Sequence, residues 1–286
     1  MDFLRPTTWA EALAAKADQP DAVPLQGGTD VMVEINFAVR RPVALLDLTR
    51  VAELATWSEQ DGRYRVGAAV PYSTIIGELG GALPGLAQAA RTVGSPQIRN
   101  RGSVGGNLGA ASPAGDSHPP LLAADAVIEV ESRDGGVRLI PAAEFYLGVK
   151  RNALRLDELI RAVHVPAASG PQYFSKVGTR NAMVIAVCSF AVALHPGDRR
   201  VGTGLGSAAP TPRRALEAEE FLAGELDWDA PLDPAVLRRF GELAARAASP
   251  IDDVRGTAGY RTHAISVMAR RTLTWAWHDH LGRRAA

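Results

Sequence analysis

Arg91-Thr92-Val93-Gly94-Ser95-Pro96-Gln97-Ile98-Arg99-Asn100-Arg101-Gly102-Ser103-Val104-Gly105-Gly106-Asn107-Leu108 is the stretch that decides the fold, with Ala110-Ala111-Ser112-Pro113-Ala114-Gly115-Asp116 close behind it. Its glycine content argues against a helix interior. Its apolar content and order argue against a plain linker. Ser103-Val104-Gly105-Gly106-Asn107 reads as bare backbone that something approaches closely. A second segment of this kind, Gln26-Gly27-Gly28-Thr29-Asp30, follows the strand candidate Val23-Pro24-Leu25 and precedes a short helix candidate, Asp30 to Asn36. A phosphate needs several converging N–H donors, and two such loops can supply them. Each loop taken alone could equally be a tight turn. Neither is a P-loop, and neither has the Gly-x-Gly-x-x-Gly dinucleotide spacing.

The remaining elements arrange themselves around these loops. Thr8 and Glu11 form a capping box that starts a helix over residues 9–17. Ala44 to Leu48 reads as a buried strand, and Pro84 starts a helix to Arg91. Asp61-Gly62 and Asp134-Gly135 predict hairpins. In residues 126–131, Ala126, Ile128 and Val130 alternate with Val127, Glu129 and Glu131, a strand with one face toward a core. The segment from Pro166 to Pro171 marks a boundary. Beyond it come three strands, residues 172–177, 185–195 and 200–207, then helices over 214–223, 233–247 (Asp233 as cap, Pro234 first) and about 257–280. The reading is an α+β chain with one domain over residues 1–170, in parts of about 1–55 and 56–170, and a second over 171–286 that holds a three-stranded sheet plus helices.

Composition excludes several classes. The 286 residues hold 31 basic and 31 acidic side chains, so no net charge draws the protein to nucleic acid or an anionic membrane. The apolar run from Ala182 to Leu194 falls short of a membrane span, which predicts no membrane insertion, and the N-terminus shows no signal pattern, so the expected location is cytoplasmic. The single cysteine, Cys188, cannot hold a [2Fe–2S] cluster and reads as a small buried hydrophobe. The six histidines show no metal-ligand spacing. Ser117-His118-Pro119 lacks a nucleophile elbow, so no catalytic residue is assigned. Asp116 has two compatible readings: an acceptor for ribose hydroxyls, or the cap of a helix over residues 117–124.

The chain resembles the FAD-binding (medium) subunit of the molybdenum hydroxylases, the group of xanthine, carbon monoxide, nicotine and caffeine dehydrogenases. The resemblance lies in Leu25-Gln26-Gly27-Gly28-Thr29-Asp30 and in the stretch from Gly94 to Leu108 with Ala111-Ser112-Pro113 and Asp116. It continues in Lys176-Val177-Gly178-Thr179-Arg180, in residues 206–214 and in residues 250–261. It implies a two-part FAD-binding domain of the PCMH or vanillyl-alcohol-oxidase type followed by a carbon monoxide dehydrogenase-type C-terminal domain. It implies FAD contacts from Leu25, Gln26, Gly27, Gly28, Thr29, Asp30 and Val31, from Ser103, Val104, Gly105, Gly106, Asn107 and Ala110, and from Asp116 and Lys176. Gln26 stands where alanine or glycine is usual, and Ala110 where some members carry a hydroxyl.

The same resemblance implies an electron-transfer role without metal in this chain. A large molybdopterin-binding subunit would hydroxylate the substrate. A small subunit with [2Fe–2S] clusters would pass electrons to FAD here, in a heterotrimer or its dimer. The basic residues 97–101 and the Trp275/Trp277 pair are candidate partner-facing groups, with Trp277 and Trp275 also fitting a core. Two other readings remain open: a stand-alone flavin-dependent oxidoreductase, and a non-enzymatic nucleotide-binding assembly module.

Overall fold

The computed structural model describes residues 1–285. The chain begins with β1 (Asp2–Leu4), α1 (Trp9–Asp18), β2 (Val23–Leu25), α2 (Val31–Asn36) and β3 (Ala44–Asp47). The three strands form a parallel sheet in the order β1-β3-β2, with all of β3 buried. Continuous burial explains the unbroken apolar run there. The Thr8 hydroxyl accepts from the Glu11 N–H and the Glu11 carboxylate accepts from the Thr8 N–H, so the capping box is formed.

Next come β4 (Trp57–Gln60), β5 (Arg63–Gly67), α3 (Tyr72–Glu78), α4 (Pro84–Thr92), α5 (Pro96–Arg99), α6 (Val104–Ala110) and α7 (His118–Ala123). Then follow β6 (Val127–Ser132), β7 (Gly136–Pro141), α8 (Ala142–Phe145), β8 (Tyr146–Gly148), β9 (Arg151–Asn152) and β10 (Leu159–Pro166). β4-β5-β10-β6-β7 form an antiparallel sheet, and β8 pairs with β9. Ile128 and Val130 of β6 face the core as the alternation requires. The opposite face of β6 is not simply solvated. Glu129 is buried there because Arg65 grips it through two hydrogen bonds of 2.8 and 2.9 Å, and His164 Nε2 lies 2.7 Å away. Paired charge makes that burial tolerable.

The final part contains β11 (Gln172–Val177), β12 (Cys188–His195), β13 (Arg200–Gly206), α9 (Leu216–Glu225), α10 (Pro234–Arg246) and α11 (Ala258–Ala285). The strands form an antiparallel sheet in the order β11-β12-β13, and the helices pack on it. β12 starts at Cys188 rather than at residue 185, and Cys188 is fully buried. Asp233 caps α10 by accepting from the Ala235 N–H. The α+β architecture with a three-stranded sheet and helices is therefore the one expected.

One hydrophobic cluster draws its members from residues 4–165 and another from residues 173–281. A small third cluster, Ala89, Ala123, Phe174, Ala191 and Ala193, packs α4 and α7 against the β11-β12-β13 sheet. Asp125 adds ion pairs to Arg200 at 2.5 Å and Arg214 at 2.6 Å across the same seam. No described helix is long and apolar enough to cross a membrane.

One local expectation is overturned. The Ser103–Ala110 stretch is helical despite three glycines, because α6 is held by other means. Ser103 caps it, its hydroxyl accepting from the Gly106 N–H at 3.1 Å. Val104 and Leu108 are buried. A Cβ on Gly105 would lie 2.5 Å from both the carbonyl oxygen and the Cβ of Ala68, so only glycine lets the helix sit on that backbone. Capping and burial outweigh a propensity cost of about 1 kcal/mol per glycine. The helix stops at Ala111, which adopts a left-handed φ of 44°.

Candidate functional site

A cleft of about 520 Å³ runs between the two glycine segments and reaches the C-terminal sheet. That volume is within the range of small-molecule sites. Of the residues singled out from sequence, Gln26, Gly27, Gly28, Thr29, Asp30, Val31, Ser103, Gly105, Gly106, Asn107, Ala110, Asp116 and Lys176 all line it. Leu25 instead lines a smaller depression of about 280 Å³ behind the first loop. Val104 lines neither, because its side chain is buried in the core beneath α6.

The first segment is a turn between β2 and α2. Gly28 has φ +73°, and a Cβ on Gly27 would lie 2.1 Å from the Arg101 carbonyl oxygen, so the two segments lie directly against each other. Among the described residues, no protein group accepts from the N–H groups of Gly27, Gly28, Thr29, Asp30 or Val31. Five consecutive free donors on a cleft wall are a cradle for oxygen atoms of an anionic ligand. The Gln26 side chain is held at the cleft by its Nε2, which donates to the Ala69 carbonyl at 3.2 Å.

Asp116 does not cap α7. It forms an ion pair with Lys176 of β11, Nζ to Oδ2 at 2.5 Å, with both side chains at least nine-tenths buried. Thr92 donates to the same oxygen at 2.9 Å, and Lys176 also donates to the Thr92 carbonyl at 3.2 Å. The pair joins the two parts of the chain at the cleft. Among the described residues, Asp116 Oδ1 is buried and has no hydrogen-bond partner. Burial pushes the Asp116 carboxyl above its ordinary range, against the opposing pull of Lys176 and Thr92. A hydroxyl or N–H from a ligand in the cleft would satisfy Oδ1.

Behind the second segment lies a polar floor that joins Asn107, Ser117 and His118, named from sequence, to Tyr72 and Tyr146, which were not. The Tyr72 hydroxyl donates to Ser117 Oγ at 3.3 Å, and Ser117 donates to Asn107 Oδ1 at 2.6 Å. Ser117 is thus a support for Asn107. The fully buried His118 meets the Tyr146 hydroxyl through Nδ1 at 2.9 Å. Burial pushes the His118 imidazole down to about 3 and the Tyr146 phenol well above its usual value. The imidazole is therefore neutral at pH 7, and its tautomer sets which of the two groups donates in this hydrogen bond. Ala114 and Gly115 complete that wall.

Other lining groups also escaped the sequence. Tyr72, Lys150, Ile160, Val184 and Ile185 reach the cleft from distant elements. Glu34, Arg40 and Lys150 stand together at its edge, Glu34 pairing with both cations. No local pattern marks such residues, since only the tertiary fold brings them together. Of the partner-facing candidates, Arg99 is turned inward to the carbonyls of Arg91, Val93 and Gly94 at 2.9–3.2 Å. Trp277 is buried and Trp275 is partly exposed.

Residues 1–168 match the family described as the FAD binding domain in molybdopterin dehydrogenase, and residues 173–276 match the carbon monoxide dehydrogenase flavoprotein C-terminal domain. The chain is 32% identical to the xanthine dehydrogenase FAD-binding subunit of Escherichia coli O157:H7, over 96% of this chain and 95% of that one. It is 28% identical to the nicotine 6-hydroxylase medium subunit of Paenarthrobacter nicotinovorans, over 96% of each chain. A solved chain of carbon monoxide dehydrogenase from Hydrogenophaga pseudoflava superposes with a TM-score of 0.90 at 28% identity, covering 98% of both chains.

Proposed function

We propose, from the premise that this chain belongs to the family of FAD-binding subunits of molybdopterin dehydrogenases, that its cleft holds FAD and relays electrons between a partner subunit and an external acceptor. The observation that carries the proposal is the pairing of five unpartnered N–H groups, Gly27 to Val31, with the orphaned Asp116 Oδ1 in one cleft. FAD has the matching chemistry, with pyrophosphate oxygens that accept and sugar hydroxyls that donate. When bound, it supplies acceptance and release of electrons either in pairs or singly.

This chain's own residues bind and orient. The N–H groups of Gly27, Gly28, Thr29 and Asp30 receive phosphate oxygens, and Gly106, open to the cleft, keeps side-chain bulk away. Asn107, with Oδ1 committed to Ser117, has its amide NH₂ left to donate. Asp116 Oδ1 accepts a ligand hydroxyl. Lys176 fixes Asp116 and holds the C-terminal sheet against the site. Ala110 lines the wall without adding a polar contact. Residues 1–170 form the FAD domain on this reading, and residues 171–286 supply the other wall of the cleft.

With one cysteine, the chain cannot carry the iron–sulfur clusters itself. The reading therefore includes a large molybdopterin-binding subunit where substrate is hydroxylated and a small [2Fe–2S] subunit that delivers electrons, in a heterotrimer or its dimer. A cytoplasmic location is part of the same reading. The test is to purify the complex from its own host, denature it and identify the released nucleotide. Release of FAD in about equal amount to this chain supports the reading. An ADP-like ligand, or no nucleotide, overturns it. Substrate turnover by this chain without partners also overturns the relay role.

A further inference from the structure

The cleft is closed in two different ways. Toward the C-terminal sheet the closure is backbone on backbone. β13 lies so close to α7 that a Cβ on Gly202 would sit 2.1 Å from the Ala123 carbonyl oxygen, and one on Gly204 2.1 Å from that of Pro119. The buried Asp116–Lys176 pair and the pairs of Asp125 with Arg200 and Arg214 fasten the same seam. Parting this wall would separate a buried ion pair and tightly packed backbone together, at a cost of several kcal/mol or about 3 kcal/mol for the buried pair alone.

At the edge between α2 and the β8–β9 hairpin the closure is a pair of side chains. The Lys150 ammonium donates to one oxygen of the Glu34 carboxylate, and both residues line the cleft. Arg40 stands 3.6 Å from the other oxygen and holds that carboxylate on the α2 side. The Lys150 and Arg40 side chains are about half exposed. Ion pairs in such surroundings contribute about 0–1 kcal/mol. Nothing else of weight is lost if the two arms part: α2 buries none of its six residues, and Leu147 and Val149 beside Lys150 are exposed. A ligand as long as a dinucleotide, seated with its phosphates at residues 27–31, needs an opening to come and go. The weaker closure gives way first.

We propose that the Glu34–Lys150 pair is a clasp over the mouth of the cleft, and that FAD enters and leaves where α2 parts from the β8–β9 hairpin, while the C-terminal wall stays shut. The proposal rests on the reading that the cleft holds FAD, and it adds the route of loading and the contact that controls it.

The test ties the clasp shut reversibly in the full chain. Glu34→Cys combined with Lys150→Cys supplies two thiols that a short bis-methanethiosulfonate reagent joins and a reductant parts. The native Cys188 does not compete, because it is fully buried and burial pushes its thiol up to about 12. With the bridge confirmed by mass spectrometry, FAD release on dilution should slow about tenfold or more, and bridged apoprotein should fail to take up FAD. Reductant should restore both. The same variant capped with a one-ended methanethiosulfonate lacks the tether and should release FAD about three- to fivefold faster than wild type, as should Lys150→Gln, with Lys150→Arg returning the rate toward wild type. Release from the bridged protein at or above the capped rate overturns the proposal, and so does equal slowing in the capped protein. If the bridge does not form, the two Lys150 variants decide: equal release from both overturns it. A wild-type chain that binds no FAD fails the flavin reading, whereas normal FAD content with unaltered release fails the clasp alone.

Discussion

The two glycine pairs at the cleft meet the same demand with different backbones. Gly27-Gly28 lies in an open turn, and Gly105-Gly106 lies in the first turn of α6. In each pair the first glycine serves packing. A Cβ on Gly27 would meet the Arg101 carbonyl oxygen at 2.1 Å, and one on Gly105 would meet the Ala68 carbonyl oxygen at 2.5 Å. The second glycine of each pair has room. Gly28 would meet only the side chains of Met32 and Leu25, and Gly106 only Ser103 Oγ at 3.4 Å. A doubled glycine therefore combines two requirements: one position lets backbones touch, and its neighbour faces the ligand space.

The sharpest way to break this comparison is to add one methyl at each packing position. Gly27→Ala and Gly105→Ala each force a carbon into backbone atoms that no rotamer change can move. Each should cost about 3 kcal/mol or more, above the usual range for overpacking, measured by urea unfolding. Loss of less than about 1 kcal/mol in either would show that the two segments are not locked together as the distances require.

Gly106→Val should behave in the opposite way. Beyond its own helix backbone, its Cβ would meet only Ser103 Oγ at 3.4 Å among the described residues, so stability should change by less than about 1 kcal/mol. Its bulk enters the cleft, so FAD affinity should fall about a hundredfold, or about 2.7 kcal/mol. Flavin content of the folded variant, measured against wild type, checks this. Unchanged content would remove Gly106 from the cofactor wall.

Sequence carried much of the outline and little of the local backbone. The hairpins at Asp61-Gly62 and Asp134-Gly135, the capping box at Thr8 and the cap at Asp233 were legible because each is set by residues a few positions apart. α6 was not, because its stability comes from contact with Ala68, far away in the chain. The role of Asp116 was half legible. A carboxylate before a helix suggests a cap, yet Lys176 and Thr92 claim one oxygen and leave the other free. The Tyr72–Ser117–Asn107 and His118–Tyr146 contacts join residues up to 45 positions apart, so no spacing announces them.

That polar floor is a further difference between the two segments, and pH separates them. His118 lies beneath the second segment, with Gly115 against its ring. An unfolded imidazole takes up a proton near pH 6.5, whereas folded His118 resists it down to about 3. Between those values the unfolded state binds more protons. Stability should therefore fall as pH drops through this window, by up to about 1.4 kcal/mol per pH unit from this group. His118→Gln should flatten that slope in unfolding measurements from pH 6 to 4 (about the range where folding can be followed). A slope equal to wild type would move the acid sensitivity elsewhere.

The smallest effect belongs to Gly28, and it tests whether the first loop depends on glycine for shape rather than space. Its φ of +73° is in the left-handed region, and its nearest prospective contact is Met32 Cγ at 3.3 Å, the movable part of a flexible side chain. Gly28→Ala should then cost about 1 kcal/mol, most of it backbone strain. Gly28→Asn should recover part of that loss, since asparagine tolerates this conformation better than alanine. If asparagine proves worse than alanine, space limits the position, and Gly28 would then resemble Gly27 more than Gly106.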